Sequence, residues 1–377
     1  MTIQQISASA ISGQIQPEIA IISSLGAHIV GNYVLVRITD DSGHVGLGEA
    51  SVTSVWSGET QTGTIAMIHE VLAPLAQGAD PFDLEWIARQ MDRAAFANPF
   101  AKAAIEMALL DLQGKILGVP VYKLLGGRGG GGLGGAREST ANGSIQNGVR
   151  LKFVIGNVEP QVAAARAATM IERGWKAIKV KVGRDPQADV ERLKAVRSAI
   201  GPNTFLSVDA NGGYSVDQAV WVARRFEELG IALFEQPTPR GEHRAMAQVR
   251  SRCGLPIMAD ESVFTPADAL AVIRHEAADI MSLYPGKHGG VRATQYIARM
   301  AESAGIACTI GSNLEREVAT AAMAHVTAAT PNIICERYPG DLIGPLYFAA
   351  PLSSPPLRYS ADRLFVPETP GLGVNVA

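Results

Sequence analysis

Six residues suited to acid–base or metal chemistry recur along this chain at nearly even intervals. Lys179 and Lys181 stand in the run AIKVKVG, Asp209 in SVDANGG, Glu235 in LFEQP, Asp260 in MADES and Lys287 in PGKHGG. From Lys181 onward the intervals are 28, 26, 25 and 27 residues. Taken singly they say little: a KxK pair is commonly a solvated strand edge, and an Asp before Ala-Asn-Gly is commonly a turn or helix cap. As a set they say more. Three carboxylates bracketed by lysines are costly in a low-dielectric interior unless paired or bound to a cation. Three hard oxygen ligands without His or Cys suit Mg²⁺, with Mn²⁺ as a second choice. Side chains two apart on a strand share a face, so Lys179 and Lys181 point the same way while Ile178, Val180 and Val182 point the other. Two neighbouring ammonium groups repel, which is expected to lower the pKa of one and make it a base near neutral pH. A metal flanked by lysines suits removal of a proton next to a carboxylate, the charge developing on that carboxylate being stabilised as it forms.

The elements that carry these residues repeat. From Val149 on, eight short apolar runs (VRLKFVIG, AIKVKVG, TFLSVDANGG, IALFEQPTP, LPIMADES, DIMSLYPGKHGG, IACTIGSN and NIICERYPG) alternate with segments of helical periodicity. Strands alternating with helices make parallel units, and eight of them match a (β/α)8-type barrel, whose chemistry sits at the strand ends. An open doubly wound sheet is the alternative, but no GxGxxG opens the first unit. Each interval is one strand–helix repeat, so the six residues are expected at one height around a central site. Upstream, TIQQISASAI, NYVLVRITD and HVGLGEA read as strands. The last two form a hairpin through DDSG, and helices follow over about 64–77, 83–96 and 99–117. The expected organisation is an α+β unit over 1–125, a glycine-rich linker or loop over 126–148, a barrel over 149–345, and a terminal segment over 346–377.

Composition bounds the partners. Of 377 residues 47% are hydrophobic and 18% charged, with a net charge of −3, which points to neither nucleic acid nor an anionic membrane. Cys253, Cys308 and Cys335 lack CxxC spacing, so reduced thiols in a cytoplasmic protein are expected. The first thirty residues show no basic segment followed by a long apolar one, and no apolar run is long enough to span a membrane.

At these motifs the chain resembles the enolase superfamily, and within it the mandelate racemase/muconate lactonizing enzyme family. GLGEA around Glu49, AKAAIEMALLDLQGKILGVPVYKLLGG, VDANGGYS, FEQPTP, MADESV, KHGG and the terminal PGLGV carry the resemblance over nearly the whole chain. It implies an α/β fold: a (β/α)7β modified TIM barrel with an N-terminal α+β capping domain, to which the terminal segment returns. It implies Mg²⁺ held by Asp209, Glu235 and Asp260, Lys181 and Lys287 as acid/bases, and Lys179 as the electrostatic neighbour of Lys181. Lysine on the sixth strand, with GSN rather than a histidine ending the seventh, favours the muconate-lactonizing-like subgroup. Glu336 resembles that subgroup's acidic residue near the substrate, while Glu315 is either a substrate contact or a helix cap. Asn211, Glu261, Ser312, Asn313 and His28 are further candidates for substrate contact, and His288 reads as a loop residue turned from the site.

The implied activity is that of an isomerase of a small carboxylate, a muconate-type cycloisomerase or a racemase/epimerase, in a homo-oligomer. A syn-dehydratase like o-succinylbenzoate synthase is the alternative. A barrel that binds metabolites without turnover is disfavoured by the intact lysine and carboxylate set. The segment PEIAIISSLGAHIVG, Pro17 to Gly31, holds no arginine or lysine. If it covers the site it cannot clamp a second carboxylate. The substrate is then expected to carry one carboxylate and an uncharged, cationic or mainly apolar distal end, buried under Ile19, Ile21, Ile22 and Leu25.

Overall fold

The computed structural model describes residues 1–128, 136–139 and 145–376. The amino-terminal strands β1 (Ile3–Gln14), β4 (Val30–Asp40) and β5 (Val45–Ser51) form an antiparallel sheet, with a small hairpin, β2 (Ile21–Ser23) and β3 (Gly26–His28), between the first two. The DDSG turn closes β4 onto β5 because Asp40 Oδ1 accepts from the amides of Ser42 at 2.9 Å and His44 at 2.8 Å. The sheet packs on the helix Pro99–Leu117, buried on every side from Phe100 to Gly114. Close approach needs Gly46 and Gly48, where a Cβ would meet Ala108 O at 2.0 Å and Ala104 O at 1.8 Å. The first of the three expected helices runs from Gln61 to Ala76 through a wide π-type stretch, Met67–Leu72.

Seven strands make the second sheet, all parallel and in chain order: β8 (Phe153–Ile155), β9 (Ala177–Lys181), β10 (Phe205–Asp209), β11 (Leu233–Glu235), β12 (Ile257–Ala259), β13 (Ile280–Leu283) and β14 (Ala307–Ile310). The eighth apolar run forms no regular strand. It closes the ring through single bridges, Cys308 to Ile333 on one side and Leu151 to Gly340 on the other. This is the (β/α)7β barrel. Leu233, Met258, Ile280 and Tyr338 fill its interior and make a floor beneath the strand ends.

The run VRLKFVIG is divided. Its start belongs to β7 (Ile145–Arg150), which pairs with β6 (Ala136–Ser139) and with the carboxy-terminal β16 (Arg363–Phe365), itself paired with β15 (Tyr359–Ser360); only its end, β8, enters the barrel. Part of the stretch read as a glycine-rich linker or loop is therefore paired strand: 136–139 pair with 145–148, and β16 extends the ladder at 148–150. The rest of that reading, 129–135 and 140–144, lies outside the described residues. The chain end reaches the long helix: Leu372 N donates to Asp111 Oδ1 at 2.6 Å, and Gly371 bridges to Pro120. The three cysteines are free. Among the described residues no helix is long and apolar enough to cross a membrane.

Candidate active site

Strand register places the first four residues of the site. Asp209, the last residue of β10, is the direct partner of Lys181 on β9 and of Glu235 on β11. Asp260 follows β12 by one residue. Lys287 is not on a strand: it sits in the single helical turn Pro285–His288 just beyond β13. The cavity above this row, about 590 Å³ including its mouth, is lined by His28, Lys179, Lys181, Asp209, Asn211, Asp260, Ser312 and Asn313. Its remaining walls are Ile21, Ser23, Leu25, Trp56, Val154, Tyr284, Leu314, Asp341 and Ile343.

The segment over the mouth is the hairpin β2–β3. Ser24 Oγ donates to the carbonyls of Ala210 at 3.0 Å and Asn211 at 3.1 Å, tying the hairpin tip to the end of β10. Ile21 and Leu25 line the cavity; Ile19 and Ile22 do not.

Each lysine is engaged by carboxylates. Lys181 Nζ donates to Asp209 Oδ2 at 2.5 Å and Asn211 Oδ1 at 3.0 Å. Lys179 Nζ donates to Asp341 Oδ2 at 2.6 Å and Glu235 Oε2 at 3.1 Å and lies 3.5 Å from Asp209 Oδ2. Lys287 Nζ donates to Asp260 Oδ1 at 2.5 Å and to the carbonyls of Asp260 and Ser282, over the face of Tyr284. The expected lowering of a lysine pKa by its neighbour does not hold for Lys179. Burial opposes its charge, yet Asp341, Glu235 and Asp209 outweigh that and hold it well above the ordinary lysine value. Burial works against Asp209 too, but Lys181 and Lys179 keep it down at about 2. Glu235 goes the other way: burial, then Asp209, with Asp260 and Asp341 adding, raise it well above the usual carboxylate range despite Lys179.

As placed, the carboxylates turn toward lysines, and among the described residues no three acidic, His or Cys side chains gather around one point. The donor set nevertheless fits a hard divalent cation. Asp209, Glu235 and Asp260 are buried oxygen donors at neighbouring strand ends, their repulsion is felt at Glu235, and the adjacent Glu261 keeps a buried Oε2 with no hydrogen-bond partner.

Five expected residues, Lys287, Glu235, Glu261, Glu315 and Glu336, stand outside the cavity lining. Glu261 accepts from Asn211 Nδ2 at 2.7 Å and, with Lys287 and His288, faces a neighbouring cleft between barrel and cap. Glu315 lies beneath the lining, accepting from Ser312 Oγ at 2.6 Å and from the Asn313 amide. Glu235 lies behind Lys179. Glu336 is drawn away: Arg363 of β16 binds both its oxygens, at 2.6 Å and 3.0 Å. The acid that reaches the site from the eighth run is Asp341, five residues on. Asp341 was not singled out in the sequence, where it follows Pro339-Gly340. Lys152, joined to Asp341 Oδ1 at 3.1 Å, was also missed, although its place in LKFVIG repeats the lysine-in-apolar-strand signal of β9. Trp56 had no signal. It reaches the cavity from the cap, stacked on Tyr284 with centroids 5.5 Å apart.

Comparison with known proteins agrees with this geometry. Residues 13–126 match the family described as mandelate racemase/muconate lactonizing enzyme, N-terminal domain, and residues 162–377 match the enolase C-terminal domain-like family. The chain is 34% identical to L-Ala-D/L-Glu epimerase of Bacillus subtilis (strain 168), over 90% of this chain and 88% of that one. It is 32% identical to muconate cycloisomerase 1 of Rhodococcus opacus, over 91% and 88%. The structure of dipeptide epimerase from Enterococcus faecalis V583, complexed with Mg and the dipeptide L-Leu-L-Tyr, superposes with a TM-score of 0.90 at 30% identity, covering 100% of both chains. With barrel, cap and the strand-end lysines and carboxylates in place, the chain belongs to the mandelate racemase/muconate lactonizing enzyme family of the enolase superfamily, as an isomerase.

Proposed function

We propose that this isomerase racemises or epimerises a small carboxylate by removing and returning its α-proton. The carrying observation is the cavity lining. Among the described residues its cations are Lys179 and Lys181, and the first is committed to Asp341, Glu235 and Asp209. No second cation stands ready for a distal carboxylate, and Ile21, Leu25, Trp56, Val154, Leu314 and Ile343 offer apolar surface instead. One substrate carboxylate and an uncharged, mainly apolar remainder fit that lining.

Asp209, Glu235 and Asp260 would hold Mg²⁺. When bound, the cation supplies positive charge to offset the negative charge that develops on the substrate carboxylate. Lys181, on the cavity wall, removes or returns the α-proton from one side. Lys179 stays charged and holds Glu235 and Asp209 in place. Lys287 serves the other side and must first leave its contact with Asp260. His28, its pKa lowered to about 4 by burial and by Lys181, is a neutral imidazole at the mouth and acts as a polar contact.

A second reading has one observation behind it. All three donors of Lys287 are taken, which suits a purely electrostatic lysine and a cycloisomerase working through Lys181 alone. Deuterium exchange at the α-carbon of both enantiomers of N-acyl amino acids, followed by NMR, separates the two. For a racemase, Lys181→Ala and Lys287→Ala each lose exchange with one enantiomer. If Lys287→Ala exchanges both enantiomers at the wild-type rate, the two-base reading is wrong.

A further inference from the structure

Asp341 is an acid on the cavity wall, ion-paired with two lysines, although its Oδ1 makes no hydrogen bond. Oδ2 accepts from Lys179 at 2.6 Å, and Oδ1 lies 3.1 Å from Lys152 Nζ. Lys152 immediately precedes β8 and is 1% exposed. Its ammonium donates also to Pro339 O at 2.6 Å, and its amide donates to Gly340 O at 2.9 Å. Main chain and side chain therefore both fasten it to the segment that carries Asp341. Among the described residues a buried ammonium so enclosed has this one carboxylate as its ion-pair partner, and losing that pair would leave a charge stranded in the interior. Lys152 does not line the cavity and, among the described residues, makes no hydrogen bond or ion pair with Asp209, Glu235 or Asp260.

The arrangement decides what this wall can accept. A carboxylate facing a substrate cavity is an obvious counter-ion for a cationic substrate group. Here two buried lysines already share Asp341, so the cluster Lys152–Asp341–Lys179 has no anionic surplus of its own to offer a third cation. Beside it, Val154 and Ile343 present apolar surface to the same part of the cavity. On the racemase reading given above, we infer that Lys152 is a specificity-determining residue: by occupying Asp341 it closes this end of the site to substrates with a free ammonium group and reserves it for N-acyl amino acids with an apolar acyl chain.

The test uses a matched pair, N-propionyl-L-leucine and L-alanyl-L-leucine, which differ by one ammonium in place of a hydrogen. With the Mg²⁺-loaded wild type, kcat/KM for α-deuterium exchange is expected to favour the propionyl compound by about tenfold or more, the scale of a missing charged partner. Lys152→Met frees an oxygen of Asp341 and moves the ratio about tenfold toward alanyl-leucine, through KM. Lys152→Arg keeps the wild-type preference. Asp341→Asn leaves Lys152 unopposed, while Lys179 keeps Glu235 and Asp209, and widens the preference; this variant carries the test should Lys152→Met not fold. Calorimetric affinities of the two probes for Lys181→Ala, which removes the proposed base, read the same discrimination without chemistry. No exchange with either probe but a preserved affinity ratio would refute the racemase reading and support the role of Lys152. Equal handling of the two probes by the wild type, or Lys152→Met lowering both alike as a structural defect would, overturns it.

Discussion

Glu49 lies buried where the capping domain meets the barrel helix Glu317–Ala329. It accepts from the amides of Arg316 at 2.7 Å and Ala319 at 3.1 Å, at the helix start where amides lack partners in the helix itself. Burial pushes its carboxyl from 4.5 to about 8, over the opposing pull of those amides. An acid that holds its proton more tightly folded than unfolded contributes stability that fades as pH rises between those two values. Glu49→Gln cannot titrate and should cost about 1 kcal/mol as a weakened cap. The Tm gap between wild type and variant should narrow as pH rises through that window; parallel curves would refute the assignment. At the site itself the lysine partners of Asp209, Glu235 and Asp260 balance their charge without a cation. EDTA-treated protein should therefore keep its circular dichroism and much of its Tm while losing α-exchange, with Mg²⁺ or Mn²⁺ restoring it. Full activity after chelation would remove the metal from the proposal.

The elements around the site work by close approach. The hairpin β2–β3 stays over the cavity because Gly156, just after β8, leaves room for it: Asn157 N donates to Ile22 O at 2.7 Å, and a Cβ on Gly156 would meet Ile22 N at 2.7 Å. Gly156→Ala should push the hairpin off the mouth without unfolding the barrel. KM should rise on the order of tenfold with Tm little changed; an unchanged KM would mean the hairpin does not bear on substrate. A second docking repeats the Glu49 device, since Glu106 of the long helix accepts from the Arg292 amide at 2.8 Å, at the start of Val291–Ser303. Two cap glutamates thus fasten two barrel helices by their amide ends.

For the molecule as a whole, these contacts join cap and barrel into one unit. Asp111 of the long helix accepts from Leu47 N at 2.8 Å and from Leu372 N at 2.6 Å, binding the first sheet and the chain end together. Trp56 of the cap packs on Tyr284, Phe264 and Phe100 at centroid distances of 5.5, 4.8 and 5.9 Å. Calorimetry should show one unfolding transition. Gly371, with φ +75° and Asp111 Oδ1 only 2.2 Å from a built Cβ, is where a methyl would loosen the chain end. Gly371→Ala should lower that single Tm; two separate transitions in the wild type would show that the domains unfold independently.

The barrel was legible because its signals are local. Runs such as IKVKV and FLSVD show a strand's alternation, and a steady repeat length places Lys181, Asp209, Glu235 and Asp260 at matching heights, which the register of β9, β10 and β11 bears out for the first three. The sixth repeat already departs, with Lys287 carried on a turn beyond β13. What failed depended on partners distant in the chain. Nothing near Glu336 says that Arg363 will take it, nothing near Asp341 says that Lys152 and Lys179 will hold it, and the pairing of β7 with β16 spans more than half the sequence. The sequence by itself determined the repeat, the fold family and the lysine–carboxylate row, because residue type and spacing along a strand decide which faces are shared. Only the tertiary structure decided which acid of the eighth run enters the cavity and how every charge there is matched, because in a buried site each charge settles against whatever opposite charge the packing brings within reach.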